Sequence, residues 1–203
     1  MNQKNEKAGS GPEKGKLDRK KLLKNIYDLF EVLGTVTVTV TLIYAFAVRL
    51  QIVDGSSMRN TLHDGERLLV SDLLYEPRRG DIVIIHKINA DPYDRPIVKR
   101  VIAVGGQTVD IDFDTWTLTV DGKVVEEPYR WLDPAAARTL TCAYSLPVTL
   151  AEDQIFVMGD NRNGSADSRT SEIGPVDERC IVGKAFMRVA PASKFTVFEN
   201  PFD

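Results

Sequence analysis

The chain has 203 residues, of which 43% are apolar and 27% are charged, and its formal net charge is −3. This composition is ordinary for one globular domain with an appendage, and the small net charge gives no overall case for binding nucleic acid. The charge is uneven, because residues 1–31 carry eight Lys/Arg against five Asp/Glu.

The first sixteen residues, MNQKNEKAGSGPEKGK, are polar, rich in Gly, Pro and Lys, and without periodicity. Such a composition is typical of disorder. The stretch LDRKKLLKNIYDLFE that follows is basic and helix-prone. We therefore predict a disordered basic tail over residues 1–24.

A run of seventeen uncharged residues at 32–48, VLGTVTVTVTLIYAFAV, predicts a membrane-spanning helix over residues 25–50. Threonine hydroxyls can bond the backbone of a helix, which makes this threonine-rich run tolerable in lipid. Four basic residues lie within 19–24, whereas only Arg49 follows the run closely. Because positive charge stays inside, we expect a cytoplasmic amino terminus and a single-pass protein of the cell membrane.

Two other interpretations of this run stay open. The alternation TVTVTVT is also typical of a half-buried strand in a soluble core. The small-x-small triplet Ala45–Ala47 resembles the cleavage site of a signal peptide. Against cleavage, the region before the triplet is long and the apolar character continues beyond it.

Residues 51–203 alternate between short strands and turns. Candidate strands, each rich in apolar and β-branched residues, lie at 66–70, 81–86, 95–104, 107–112, 115–120, 154–159 and 180–189. Asp121 and Gly122 predict a hairpin turn, and residues 132–140 a helical turn. The sequence thus predicts a mostly β, folded antiparallel or barrel-like domain outside the cytoplasm, behind one N-terminal transmembrane helix.

Two adjacent serines, Ser56 and Ser57, follow the apolar run in VDGSSMRNTL. A serine hydroxyl is a weak nucleophile unless a base activates it. The chain has only two histidines. His63 lies in the turn-like HDGE, which is typical of a solvated side chain, and His86 ends an apolar strand. Neither histidine has the setting of a catalytic triad.

A lysine is the alternative base. In RPIVKRVIAV, strand alternation places Lys99 on one face with Ile97 and Val101, and Arg100 on the other face. Burial disfavours the charged form of lysine and lowers its pKa. Alternation alone does not decide which of Lys99 and Arg100 points inward, and a charge that merely edges the strand remains an alternative.

The loop VMGDNRNGSADSR at 157–169 is dense in turn-forming residues, and a solvated loop is its plainest interpretation. Asp160, Arg162, Asp167 and Arg169 also offer opposite charges that can brace one another. A braced loop of this kind can hold a hydroxyl against a catalytic amine.

Together these stretches resemble the bacterial type I signal peptidases, membrane-bound serine–lysine endopeptidases that remove signal peptides. GSSMRNTL resembles the serine box of that family, Ser-Met-x-Pro-Thr-Leu, and RRGDIVII resembles its Gly-Asp-Ile-Val strand. IVKRVIAVGGQTV resembles the lysine box. FVMGDNRNGSADSR is similar to the Gly-Asp-Asn-Arg-x-x-Ser-x-Asp-Ser-Arg loop at every fixed position. The resemblance covers about residues 25–190.

The resemblance implies a role for each matched residue. Ser57, just before the methionine, is the implied nucleophile, and Lys99 is the implied general base. Ser165 is implied to hydrogen-bond the lysine amine, while Asp167 and Arg169 pair to hold the loop. The implied partners are the signal peptides of preproteins, cut after small-x-small motifs, and the lipid bilayer. Neither a cofactor, a metal nor a nucleic acid is implied.

The sequence departs from the family pattern at three places. Some members carry a serine hydroxyl two residues before the nucleophile, where this chain has Gly55, so the oxyanion hole must rely on the Ser57 backbone N–H. Asn60 replaces the proline of the serine box, and we expect altered rigidity but retained activity. The turn after the lysine box reads AVGGQ instead of the commoner Gly-x-Pro-Gly-Asp.

Two rival functions remain. One is a non-catalytic, membrane-anchored β domain that binds exported chains. The other is a self-cleaving serine–lysine repressor, although residues 1–30 are too short for a DNA-binding domain. Cys142 and Cys180 lack the spacing of a zinc site or a Cys-x-x-Cys redox pair. Either one disulfide or two separate thiols is compatible with the sequence.

Overall fold

The computed structural model describes residues 19–87, 95–133 and 141–203, except for the side chains of residues 43–46. The chain divides into two compact units, and the boundary lies between Tyr44 and Ala45.

The first unit consists, where described, of residues 19–44, which belong to the helix α1, Arg19–Ala47. Residues 19–24, assigned to the disordered tail, are therefore helical, as expected of their Leu and Lys content. The hydroxyls of Thr35, Thr37 and Thr41 each donate to the carbonyl oxygen four residues earlier, at 2.8–2.9 Å. This bonding satisfies the threonines within a helix, so the strand interpretation of TVTVTVT was wrong.

The predicted transmembrane helix at 25–50 is not supported by the structure. Within the three described ranges, no helix combines the length and the apolar character needed to cross a membrane. Charged residues occupy the first half of α1, and threonine alternates with valine in its second half. The helix also ends at Ala47, and the strand β1, Arg49–Ile52, takes up the last predicted residues.

The second unit confirms the mostly β prediction. Its further strands are β2 (Arg67–Ser71), β3 (Ile82–Ile85), β4 (Ile97–Ala103), β5 (Thr108–Asp112), β6 (Thr117–Val120), β7 (Lys123–Val124), β8 (Val148–Thr149), β9 (Gln154–Met158), β10 (Val176–Asp177), β11 (Ile181–Ala190) and β12 (Thr196–Val197). Two short 3₁₀ helices span Glu178–Cys180 and Ala192–Lys194.

Eight strands form a large antiparallel sheet in the order β1-β2-β11-β3-β4-β9-β10, with β12 also paired to β11. The register of this pairing places Lys99 of β4 opposite Val83 of β3. Irregular pairing along β11 and between β4 and β9 introduces bulges, which increase the local twist of a sheet. Such a sheet is the folded antiparallel architecture that the sequence predicted.

A second, smaller antiparallel sheet has the order β7-β6-β5-β8. The predicted hairpin turn joins β6 to β7, and both of its central residues have positive φ, 54° at Asp121 and 72° at Gly122. This is the turn geometry that matches the twist of two antiparallel strands. The predicted helical turn at 132–140 lies largely outside the described residues.

The central strand β4 is buried along nearly its whole length. Strand alternation predicted a single inward face, but strands β3 and β9 flank β4 on both edges and cores cover both of its faces. Lys99 and Arg100 are consequently both buried, with 3% and 4% of their surface exposed. Each must therefore find a polar partner inside the protein. Cys142 and Cys180 are separate, half-buried free thiols.

Candidate active site

Ser57 begins a tight turn that follows β1. The Leu62 N–H donates to the Met58 carbonyl oxygen at 2.8 Å, closing one helical turn. The side chains of Met58 and Leu62 are 1% and 0% exposed and pack together in one hydrophobic core. This anchoring fixes the turn, while Ser57 itself stays half-buried and Ser56 is exposed.

The Lys99 amine faces the Ser57 hydroxyl. Its Nζ lies 2.9 Å from Ser57 Oγ and 3.0 Å from the Val98 carbonyl oxygen. Burial is the main cause that lowers the pKa of Lys99 to about 8, and the carboxylate of Asp167 opposes that shift. With such a pKa, about one amine in ten is neutral at pH 7, against fewer than about one in a thousand for an ordinary lysine.

Neither histidine competes for this position. His63 is about half exposed, and its Nδ1 lies 3.7 Å from Glu66. The backbone N–H of His86 donates to the Cys180 carbonyl oxygen at 2.8 Å. In the described part of the chain, Ser57 Oγ is bonded to Lys99 and to no histidine.

Asp167 and Arg169 form the predicted pair within the loop. Two parallel bonds of 2.8 Å join Arg169 Nε and Nη2 to the Asp167 carboxylate, and both side chains are buried. Burial alone would raise the pKa of Asp167, but Arg169 and the Gly159 N–H stabilise the carboxylate and hold this pKa below its ordinary value. The pair therefore remains charged and ties the loop back to its own start at Gly159.

Ser165 does not bond Lys99 as the resemblance implied. Its hydroxyl lies 3.4 Å from the Ala166 carbonyl oxygen, and its hydrogen bond to Asp167 helps to lower the pKa of that carboxyl group. Ser165 still lies beside the Ser57 turn, because a Cβ added at Gly159 would meet both Ser165 Oγ at 2.3 Å and the Ser57 carbonyl oxygen at 2.4 Å. Only a glycine allows the loop and the nucleophile turn to approach this closely.

Two buried ion pairs at the site join distant parts of the chain, and the sequence did not reveal them. Arg100 Nε and Nη2 bond the two oxygens of Asp160 at 2.8 and 2.7 Å. Arg162 makes two bonds to Glu127, which lies in the segment after β7. The charges of the loop are therefore braced by β4 and by the segment after β7, not only by one another.

The two turn positions that depart from the family pattern both have positive φ. Gly55, at +88°, donates its N–H to Asp64 Oδ1 at 2.8 Å. Asn60 has a φ of +95°, and its Nδ2 donates to the Tyr129 carbonyl oxygen at 3.1 Å. Asparagine tolerates such a backbone better than most residues, whereas the ring of proline locks φ near −65°.

Asn60→Pro should therefore destabilise this chain, even though proline is the residue of the family pattern. We expect the loss to exceed about 1 kcal/mol, because proline cannot adopt a positive φ. Asn60→Gly, the matched control, should change the stability by less than the proline variant, since glycine adopts this φ freely. Urea unfolding of the three proteins measures the effect. Equal stability of Asn60→Pro and wild type would show that the turn adopts a different backbone.

The chain is similar to known proteins of one family. The family model described as "Signal peptidase, peptidase S26" matches residues 26–190. A signal peptidase I of Bacillus licheniformis is 40% identical over 185 residues, which cover 86% of this chain and 90% of that protein. Signal peptidase I T of Bacillus subtilis is 40% identical over 168 residues, which cover 80% and 79%.

A crystal structure of a signal peptidase I from Enterococcus faecalis is 28% identical, with a TM-score of 0.40 over 54% of this chain and 97% of that one. The match to the family model extends over more than half of the chain, and the Bacillus relatives are aligned over most of their length. The chain therefore belongs to the signal peptidase family, peptidase S26.

Proposed function

We propose that the protein is an endopeptidase that removes signal peptides from exported preproteins, with Ser57 as nucleophile and Lys99 as general base. The observation that carries this proposal is the 2.9 Å contact between Lys99 Nζ and Ser57 Oγ, made by an amine whose pKa is lowered to about 8. A general base must reach the proton that it removes and be unprotonated near the working pH. The relatives named above carry the name signal peptidase I, which supports the same reaction.

The acylation step follows from these two groups. Neutral Lys99 takes the proton of the Ser57 hydroxyl while Oγ bonds to the scissile carbonyl carbon and the carbonyl electron pair moves onto oxygen. The Ser57 N–H stabilises that oxyanion. The carbonyl then re-forms, the C–N bond breaks, and the Lys99 ammonium returns its proton to the leaving amine.

Deacylation repeats the proton transfer with water. Lys99 takes a proton from the water that attacks the acyl carbon, and the Ser57 oxygen recovers a proton as it leaves. We propose that the substrate lies as an extended strand with small residues at the −1 and −3 positions. Asp167 and Arg169 hold the loop, and Ser165 supports it through the Gly159 approach. Gly55 gives the turn its backbone freedom.

Ser57→Ala should abolish cleavage of a peptide that carries a small-x-small motif, because no hydroxyl remains to form the acyl-enzyme. Ser56→Ala is the matched control and should retain most of the activity, since the Ser56 side chain is exposed. Initial rates of the purified, detergent-solubilised variants measure the effect. Activity that survives in Ser57→Ala but not in Ser56→Ala would contradict the assignment. A wild-type protein that binds the peptide without cutting it would favour the non-catalytic binding domain.

We also propose that α1 attaches the protein to a lipid bilayer, with the amino terminus in the cytoplasm and the catalytic domain outside. Support comes from the uncharged run 32–48 behind a basic cluster. The helix also exposes apolar side chains such as Val36, Val38 and Leu42, and contiguous apolar surface of this kind marks an interaction site.

Membrane attachment predicts that the protein stays in the membrane pellet after alkaline carbonate extraction. Val38→Lys should release a larger fraction, because it places a charge in the uncharged run. Leu22→Lys, in the charged part of the same helix, is the matched control and should have little effect. Protease added outside intact spheroplasts should digest the catalytic domain. A domain that becomes accessible only after lysis would contradict the proposed orientation.

A further inference from the structure

Asn161 donates hydrogen bonds to two backbone carbonyl groups at the proposed nucleophile, those of Ser56 and Ser57. Its side-chain Nδ2 donates to the Ser56 carbonyl oxygen, and its backbone N–H donates to the Ser57 carbonyl oxygen, each at 3.0 Å. The residue is 5% exposed and lies between Asp160 and Arg162, which form the two ion pairs of the loop. One residue thus connects the loop to both peptide units around the Ser57 Cα.

The orientation of the Asn161 amide follows from its other contact. Its Oδ1 accepts the Gly164 N–H at 3.1 Å, and a backbone N–H can only donate. The Nδ2 must therefore be the group that faces Ser56. A Cβ at Gly164 would lie 2.6 Å from this Nδ2, so the loop closes tightly around the amide and leaves it little freedom.

The hydrogen bonds from Asn161 to the Ser56 and Ser57 carbonyl oxygens also fix the N–H groups of the same two peptides, those of Ser57 and Met58. The Ser56 carbonyl and the Ser57 N–H belong to one planar unit, in which the two groups point in opposite directions. Among the described residues, neither the Ser57 N–H nor the Met58 N–H has a hydrogen-bond acceptor. A hydrogen bond accepted by the carbonyl also polarises the N–H of the same peptide and strengthens it as a donor.

We infer that Asn161 is a positioning residue that sets the oxyanion hole, because its amide fixes and polarises the peptide whose Ser57 N–H receives the developing oxyanion. This inference rests on the proposed function, since it assigns a role within the same reaction. Among the described residues, Asn161 makes no hydrogen bond to the Lys99 amine, so we expect it to act through the Ser56–Ser57 peptide. Its removal should affect the transition state more than the bound substrate.

Asn161→Ala removes the Nδ2 donor and keeps the backbone N–H bond to Ser57. Asn161→Asp keeps the shape but sets an acceptor oxygen against the Ser56 carbonyl. We expect kcat to fall about 10- to 100-fold in both variants, less than the 10²- to 10³-fold typical of losing a hole donor outright, with KM nearly unchanged. Asn163→Ala is the matched control, because the Asn163 side chain bonds the backbone of Asp133 instead of the nucleophile turn. It should stay within about twofold of wild type.

A second measurement separates a positioning role from a merely structural one. A peptide aldehyde forms a hemiacetal with the serine, and the oxygen of this adduct occupies the oxyanion hole. Its inhibition constant should rise in Asn161→Ala by the same factor by which kcat/KM falls. The same peptide with the scissile carbonyl reduced to a methylene has no such oxygen, so its inhibition constant should not change. The acid limb of kcat/KM in Asn161→Ala should also stay where it is in the wild type, because this substitution changes no charge near Lys99.

Three results would overturn the inference while wild-type cleavage stands. They are an unchanged kcat in both Asn161 variants, equal weakening of the aldehyde and the reduced peptide, and an acid limb that moves in Asn161→Ala. Melting curves show whether the variants unfold more easily than the wild type. Even then, the ratio of the aldehyde and reduced-peptide inhibition constants, measured on the folded fraction, distinguishes a positioning role from a structural one. Absence of cleavage by the wild type would instead contradict the proposed function.

Discussion

Lys99→Arg should lose cleavage almost completely at every pH between about 6 and 10, because a guanidinium stays protonated and cannot accept the serine proton. Loss of a general base costs about 10²- to 10⁴-fold in rate, and the longer, planar side chain also displaces the contact to Ser57. In the wild type, the pKa of Lys99 is lowered to about 8, so the neutral, active amine appears as the pH rises through that value. The wild-type kcat/KM should therefore increase tenfold per pH unit below about 8 and level off above it.

Lys184→Arg serves as the matched control for this experiment. Lys184 also lies in a strand, β11, and its Nζ is 2.7 Å from Asp81 Oδ1. Unlike Lys99, its side chain is about one-third exposed, and its positive charge forms an ion pair. Arginine can replace it there, so cleavage should stay near the wild-type rate. Near-normal turnover of Lys99→Arg, measured with purified protein over the same pH range, would show that another group is the base.

The sequence could predict the serine and the lysine because each lies in a stretch that resembles a box of the family. Position before Met58 singled out Ser57, and the lysine box singled out Lys99, between which and Arg100 strand alternation alone did not decide. The sequence could not predict the distance between Ser57 and Lys99, since 42 residues separate the two positions. The pairing of β4 with β3 and β9, which buries both faces of β4, arises from long-range sheet order that alternation in one strand does not encode.

Most of the ion pairs around Ser57 and Lys99 could not be predicted from the sequence either, because their members lie far apart in the chain. Arg100 and Asp160 are 60 residues apart, and Arg162 and Glu127 are 35 apart. Among the four loop charges, the Asp167–Arg169 pair could be expected because the family resemblance implied it. Arg162 could be assigned no partner, because nothing local distinguishes Glu127 from its neighbours. The direction of the Ser165 hydroxyl depends on side-chain packing and was likewise not available.

The geometry of the site depends on both members of each buried ion pair. A buried ion pair holds only while both members are present, because a lone buried charge lacks the solvation that water would give. Arg100 also donates to the Gly80 carbonyl oxygen at 2.7 Å and stacks over the Tyr129 ring at 3.9 Å. It therefore connects the strand that carries Lys99 to the segment before β3, to Tyr129 and to the loop that carries Asn161.

Asp160→Ala should accordingly be among the most destabilising single substitutions in the catalytic domain. Asp160 is fully buried and Arg100 is 4% exposed, so the substitution leaves a guanidinium inside the protein without its carboxylate. Removing one member of a buried pair typically costs about 3–5 kcal/mol. Asp72→Ala is the control, because the Asp72–Arg49 pair is about half exposed and such pairs contribute about 0–1 kcal/mol.

The double variant Asp160→Leu with Arg100→Met tests the cause of that loss. It removes both charges and replaces them with apolar groups, a change that is often neutral or stabilising, so it should unfold at a higher urea concentration than Asp160→Ala. The Asp160 carboxylate also raises the pKa of Lys99, so in the fraction of Asp160→Ala that stays folded, the acid limb of kcat/KM should move to lower pH. If Asp160→Ala and Asp72→Ala unfolded at the same urea concentration, the buried pair would not be what holds β4 to the loop.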